Sequence, residues 1–202
     1  MPLLFLVGGA RSGKSRLARL LAQRTGGPVT FIATGQARDR EMEERIARHR
    51  DERPAGWRTI EAPLDLRGAL SSVDAGDCVI VDCLTLWVAN LLEAGAGVDE
   101  VLAAARTCAQ RAAGRGPTTT IVVSNEVGLG IVPTSALARA YRDALGSTNA
   151  AFADAADRSL LVVAGRALEL RAFGAFLDQA DSGSSWDRGI RLPTKPPSGM
   201  NT

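Results

Sequence analysis

An apolar run, Leu3 to Val7, passes directly into Gly8-Gly9-Ala10-Arg11-Ser12-Gly13-Lys14-Ser15, and the following residues, Arg16 to Ala22, carry apolar side chains at helical spacing. The octapeptide fits G-x-x-x-x-G-K-[ST], and strand, glycine loop and helix occur in the order that this phosphate-binding loop, or P-loop, requires. Few sequence features restrict a fold more tightly. Backbone N–H groups of the loop must curl around phosphate oxygens, which side chains would obstruct, while the helix N-terminus behind it adds positive potential. In that arrangement Lys14 reaches the β and γ phosphates and the Ser15 hydroxyl ligates magnesium. Gly8, Gly9, Ala10, Arg11, Ser12, Gly13, Lys14 and Ser15 are therefore the candidate nucleotide-binding residues.

Four more short apolar runs recur with helix-length segments between them: Val29 to Ala33, Cys78 to Val81, Ile121 to Val123 and Leu160 to Ala164. Continuous apolar runs rich in Val and Ile are the pattern of parallel strands covered on both faces, and their alternation with helices implies right-handed crossovers. The expected fold is α/β, a doubly wound and mostly parallel sheet of the P-loop NTPase type. A chain of 202 residues that is 46% hydrophobic can bury one such core without disulfide or metal staples. The expected domain spans residues 1–177. Beyond it, residues 178–202 form a Ser-, Gly- and Pro-containing tail without periodicity, expected to be disordered.

Ligands of open parallel sheets bind at the carboxyl ends of the strands, so the polar residues just after each run matter most. The third run ends in Asp82, an apolar strand followed by a carboxylate, the arrangement that holds magnesium directly or through water in P-loop enzymes. Ser15 and Asp82 are thus the candidate metal ligands. After the fourth run stands Ser124-Asn125-Glu126-Val127-Gly128-Leu129-Gly130-Ile131-Val132-Pro133. Asn125 and Glu126 either bind a substrate hydroxyl, or act as a base, or cap the next turn; pattern alone leaves these open.

Lys and Arg total 24 against 22 Asp and Glu, so no large charge excess points to nucleic acid or an anionic membrane. The three cysteines, Cys78, Cys83 and Cys108, are odd in number and lack CxxC spacing, which supports neither a disulfide framework nor a zinc site. Cys78 and Cys108 read as buried packing. Leu3 to Val7 is too short for a signal-peptide core, and no stretch approaches the roughly 18 apolar residues of a membrane span, so the expected location is the cytoplasm.

The only histidine lies in the densely charged stretch Asp39 to Pro54. A helix is favoured there by propensity and by opposite charges at i,i+4, with Pro54 ending it. Met42, Ile46 and His49 form its one inward stripe, at i,i+4,i+7 spacing. Two readings stand. A solitary histidine among arginines is commonly a boundary residue. Alternatively, Arg45, Arg48, Arg50 and Arg53 screen nucleotide phosphates while a neutral imidazole attacks an activated α-phosphate.

Several segments taken in order resemble those of the bifunctional adenosylcobinamide kinase and adenosylcobinamide-phosphate guanylyltransferase family of cobalamin biosynthesis. They are GGARSGKS at 8–15, RIARHRDERPAGWRTIEAP at 45–63, VDCLTLWVANLL at 81–92, SNEVGLGIVP at 124–133, and the helix-like stretch from Leu137 to Asn149. The P-loop is generic to NTPases; the histidine segment and SNEVGLGIVP are specific to this group. The resemblance implies phosphorylation of adenosylcobinamide by ATP or GTP. It then implies transfer of GMP from GTP, through a covalent adduct on His49, to adenosylcobinamide phosphate. It also implies Glu61 in nucleotide binding, Lys14 and Asp82 in catalysis, magnesium as cofactor, and a homotrimer. The chain departs from relatives after Val162-Val163-Ala164-Gly165. They usually continue with an apolar, proline-containing stretch, and this chain has Arg166-Ala167-Leu168-Glu169-Leu170.

Two rival functions share the phosphate-site residues. A single-function small-metabolite kinase would use His49 only structurally, and a nucleotide-dependent switch would gate partner binding. No guanine-selecting N-K-x-D motif supports the switch.

Overall fold

The structure is a computed structural model and describes residues 3–175 and 177. All five expected strands form: β1 (Leu3–Val7), β2 (Val29–Ala33), β4 (Cys78–Asp82), β5 (Thr120–Val123) and β6 (Arg158–Val163). Two further strands join them, β3 (Arg58–Glu61) and β7 (Arg166–Leu170). The sheet order is β3-β2-β4-β5-β1-β6-β7. Strands β1 to β6 are mutually parallel, and β7 returns antiparallel to β6. Both unexpected strands lie at the sheet's edges, where one neighbour suffices and continuous hydrophobicity is not required. Arg58-Thr59-Ile60-Glu61 is largely exposed, and β7 is exposed throughout.

Helices α1 (Lys14–Arg24), α2 (Arg40–Asp51), α3 (Leu66–Ser72), α4 (Leu84–Glu93), α5 (Val98–Ala113) and α6 (Ala136–Ala155) connect the strands. Successive side chains of a strand point to opposite faces, and β1 shows the result. Leu3, Phe5 and Val7 pack with Leu66, Leu70, Trp87, Val101, Leu145 and Phe152 from α3 to α6. Leu4 and Leu6 pack on the other face with Ala18 and Ala22 of α1, Phe31, Ile80 and Ile121. This double burial is why β1 reads as an uninterrupted apolar run. Cys78 and Cys108 are buried, as their surroundings in the sequence suggest.

The chain groups into two compact units, one ending at Leu170 and one beginning at Arg171. In the second, Phe173, Gly174 and Ala175 are helical among the described residues. The expected tail, 178–202, lies outside the described residues.

At the amino edge of the sheet, Arg115 is buried and donates from Nη1 to the carbonyls of Leu70 (2.9 Å) and Val73 (3.3 Å), and from Nη2 to that of Asp74 (3.0 Å). It closes the C-terminus of α3 and the turn that leads into β4. Beside it Asp77, also buried, accepts a hydrogen bond from the Thr30 hydroxyl at 2.5 Å. Arg115→Met leaves four carbonyls, that of Asp77 (3.5 Å) included, without this donor and is expected to cost about 3 kcal/mol, read as a lower urea midpoint. Turnover of the folded variant should stay at the wild-type level, because chemistry belongs to the opposite edge.

Candidate nucleotide-binding site

The loop between β1 and α1 has the backbone its glycines permit. Gly13 caps α1 at φ 104°, in the left-handed region. At Gly8 a Cβ would stand 2.1 Å from the Val162 carbonyl oxygen, so only glycine fits. Lys14 is buried, and its Nζ donates to the carbonyls of Gly8 (2.9 Å) and Gly9 (2.7 Å) and lies 3.3 Å from Ser12 Oγ. Burial pulls the Lys14 ammonium below the ordinary lysine value, while Cys83 and the Asp82 carboxylate act in the opposite direction. The ammonium thus rests on the loop's own carbonyls within reach of Asp82's field.

Sheet order sets the rest of the site. Because β5 stands between β1 and β4, the carboxyl edge presents in sequence the P-loop, then Asn125 and Glu126, then Asp82, then Thr34 beyond β2, then Glu61. Val123, Asp82, Ala33 and Glu61 are successive register partners across β5, β4, β2 and β3. With strands about 4.8 Å apart, Asp82 and Glu61 are roughly 10 Å apart along this line. Glu126 N–H donates to the Gly8 carbonyl at 3.0 Å, which ties the β5 loop to the P-loop. Asn125 is held at both ends of its backbone, by Thr85 Oγ1 (2.9 Å) and by Asn149 Nδ2 (3.0 Å). The Glu126 carboxylate accepts from the Gly128 N–H within the turn that follows β5.

Helix α2 starts at the Asp39 cap, whose carboxylate accepts from Met42 N–H at 2.7 Å. Met42, Ile46 and His49 are its half-buried stripe; all else between Glu41 and Arg50 is exposed. The end of the helix that carries His49 is pinned from several sides. Arg50 pairs with Glu61 at 2.7 Å, Glu52 with Arg19 of α1 at 2.9 Å, and Arg53 donates to Thr59 at 3.2 Å. The Arg53 guanidinium lies 3.8 Å from the centroid of Phe31, and its buried Nε has no partner. Burial lowers its pKa and Asp82 raises it. The P-loop, Asp82, Asn125, Glu126 and Glu61 thus share one edge. His49 lies one residue before Arg50, which joins its helix to Glu61 of that edge, and among the described residues the His49 side chain makes no hydrogen bond or ion pair. A cleft of about 650 Å³ opens between α2 and the loops after β2 and β3, lined by Gly35, Gln36, Ala37, Arg38, Glu43, Ile46, Ala47, Arg50, Glu61 and Pro63, without His49.

Thr34, Arg38 and Asn90 also build this site and were not singled out from the sequence. Asn90, buried on α4, donates from Nδ2 to the carbonyls of Thr34 (2.8 Å) and Pro63 (3.0 Å). Its Oδ1 accepts from Arg38 Nη2 at 3.2 Å. Arg38 also binds Gln36 Oε1 and pairs with Glu93. The Thr34 hydroxyl donates to the Cys83 carbonyl (2.7 Å) and accepts from the Cys83 N–H (2.9 Å). One amide therefore joins the loops after β2 and β3 to the helix after β4. A polar residue at the centre of Leu-Trp-Val-Ala-Asn-Leu-Leu was the available signal.

Ser15 and Asp82 offer hard oxygen donors, and neither side chain is committed to a hydrogen bond among the described residues. That donor chemistry fits magnesium, which takes one or two carboxylates plus phosphate oxygens. Burial pushes the Cys83 thiol up to about 11, aided by Asp82, so Cys83 is neutral near pH 7. Asn90→Asp replaces two donors by an acceptor facing two carbonyls. The change should cost about 3 kcal/mol and lower kcat/KM at least tenfold, read by urea titration and steady-state turnover.

The model of the family described as cobinamide kinase / cobinamide phosphate guanyltransferase matches residues 4–170. A bifunctional adenosylcobalamin biosynthesis protein, CobP of Pseudomonas aeruginosa, is 47% identical over 167 residues, covering 82% of this chain and 95% of the relative. The corresponding CobU of Salmonella typhimurium is 38% identical over 185 residues, covering 84% and 99%. A solved structure of the flagellar accessory protein FlaH from Methanocaldococcus jannaschii matches with 15% identity and a TM-score of 0.46, over 84% of this chain and 78% of that one.

Proposed function

The chain belongs to the cobinamide kinase / cobinamide phosphate guanyltransferase family, and from that premise we propose that a single nucleotide site carries out both reactions, with His49 as the guanylyl carrier. The observation that carries the reading is the single carboxyl edge. It sets the Lys14 cradle, Asp82 and Glu61 in line and fastens the His49 helix to Glu61 through Arg50.

In the kinase step, the γ-phosphate of ATP or GTP lies in the loop of Gly8, Gly9, Ala10, Arg11, Ser12, Gly13, Lys14 and Ser15. The aminopropanol hydroxyl of adenosylcobinamide attacks it, and the terminal P–O bond breaks. Lys14 exchanges its carbonyl contacts for phosphate oxygens and offsets the developing charge. Ser15 and Asp82 would hold Mg²⁺, which when bound supplies further neutralisation of phosphate charge. Asn125 and Glu126, tied to Gly8 through the Glu126 N–H, border the acceptor.

In the second step a neutral imidazole nitrogen of His49 attacks the α-phosphorus of GTP. A P–N bond forms, the α–β P–O bond breaks, and pyrophosphate leaves. A phosphate oxygen of adenosylcobinamide phosphate then attacks the same phosphorus, breaking the P–N bond and giving adenosylcobinamide-GDP. Glu61 would contact the nucleoside after releasing Arg50. The enzyme works in the cytoplasm as a homotrimer. The exposed Leu129, Ile131 and Val132 support an assembly, since apolar clusters of this kind are uncommon on an isolated chain.

His49→Asn should abolish guanylyl transfer, by at least about a thousandfold, and keep cobinamide phosphorylation within about threefold of wild type. Intact mass after GTP treatment should show one added GMP on wild type and none on the variant. The linkage should be labile in acid and stable in alkali. Acquisition of GMP by the variant would remove His49 from the mechanism. Lys14→Ala should reduce both activities about a thousandfold, and normal guanylylation in that variant would refute the shared site.

A further inference from the structure

Strand β7 carries none of the residues assigned above, yet the turn leading into it rests on the phosphate loop. Ala164 and Gly165 join β6 to β7 with φ of 49° and 71°, both positive as in a two-residue hairpin turn. Three close approaches connect this hairpin to the loop. The Val162 carbonyl fills the space where a Gly8 side chain would start. The Gly165 Cα lies 3.6 Å from where a Gly13 Cβ would be. The Gly165 N–H donates to the Ser12 carbonyl at 2.9 Å.

The last contact fixes a direction. The Ser12 carbonyl and the Gly13 N–H belong to one planar trans peptide unit and point opposite ways. Drawing the carbonyl toward the hairpin turns the Gly13 N–H away from it, toward the mouth of the loop, where the helix N-terminus receives a phosphate oxygen. Contacts within the loop do not set this plane. The Ser12 N–H goes to the Gly9 carbonyl, and Lys14 Nζ goes to the Gly8 and Gly9 carbonyls. Gly13, at φ 104°, has no Cβ to restrain rotation of the unit.

We propose that Gly165 is a positioning residue for both reactions, aiming the Gly13 N–H at the nucleotide's polyphosphate by holding the Ser12 carbonyl. The proposal rests on the reading of residues 8–15 as the polyphosphate site and is independent of His49. It predicts that position 165 requires a residue with an N–H that tolerates the left-handed region. Asn meets both conditions; a β-branched residue does not.

The test compares Gly165→Val and Gly165→Asn in the full chain. Readouts are KM for ATP in the kinase reaction, KM for GTP in guanylylation, and the inhibition constant of inorganic pyrophosphate. Gly165→Val should raise all three about tenfold and in parallel, as expected for loss of a phosphate donor, while kcat changes less. Gly165→Asn should stay within about threefold of wild type. A hairpin that acts only in stability would lower the melting temperature and leave these constants unchanged, which would overturn the proposal. So would a folded Gly165→Asn as impaired as the Val variant, or a loss confined to one nucleotide. If Gly165→Val does not fold, Gly165→Ala takes its place with the same expected direction. Lys14→Ala separates the two levels. If it leaves both activities intact, the polyphosphate-site reading itself is wrong; if it abolishes them while Gly165→Val leaves every constant unchanged, the positioning role alone fails.

Discussion

Six parallel strands that end on one edge leave a row of backbone N–H and C=O groups that no further strand residue can satisfy. Every loop above that edge must find its own partners. In this protein the partners are few and shared. The Thr34 hydroxyl closes onto both backbone groups of Cys83, and Asn90 serves the carbonyls beyond β2 and β3. Asn149 holds the carbonyl of Asn125, and Thr85 holds its N–H. The residues available to meet a nucleotide keep their spacing because these side chains replace the missing ladder.

The phosphate loop meets the same constraint in another way. Its carbonyls accept from Lys14, whose charge would otherwise be buried without compensation, and the resulting loop is closed on itself. A triphosphate offers Lys14 stronger acceptors than neutral carbonyls, because charge-assisted hydrogen bonds exceed neutral ones. Binding is then an exchange of partners for one ammonium group. The loop glycines are needed for the same reason of space. Gly8 is squeezed against the β6 backbone, and Gly13 adopts a left-handed φ that admits an uncapped helix start.

The charged helix α2 shows how a weakly hydrophobic element is put in place. Its apolar stripe is only Met42, Ile46 and His49, all half-buried, and stability from burial alone is small. Ion pairs at its C-terminal end supply direction: Arg50 reaches to Glu61 and Glu52 to Arg19. Exposed pairs of this kind contribute little stability each. Their effect is geometric, since they tie the helix to β3 on one side and α1 on the other. In the proposed mechanism the Arg50 tether is broken when nucleotide takes Glu61, while Glu52 and Arg53 still hold the end of the helix that bears His49.

Local pattern sufficed wherever one segment carries its own instruction. The P-loop, the five apolar strands, the charged helix before Pro54 and the Met42–Ile46–His49 stripe follow from glycine placement, continuous apolarity and a 3.6-residue period, and each is found in the fold. Edge strands β3 and β7 escaped because a strand with one neighbour and an exposed face needs no apolar run; Arg58-Thr59-Ile60-Glu61 is paired only because β2 presents its ladder there. Asn90 went unread although it is a polar residue among leucines, because its partners Thr34 and Pro63 are 56 and 27 residues away and nothing local names them. By itself the sequence determined the fold class, the phosphate loop and the family resemblance, because these depend on short-range spacing. Which strand ends become neighbours, and so which carboxylate faces Lys14, which turn braces Ser12 and which arginine meets Glu61, was decided by tertiary structure. Strand order brings together groups that chain spacing leaves far apart.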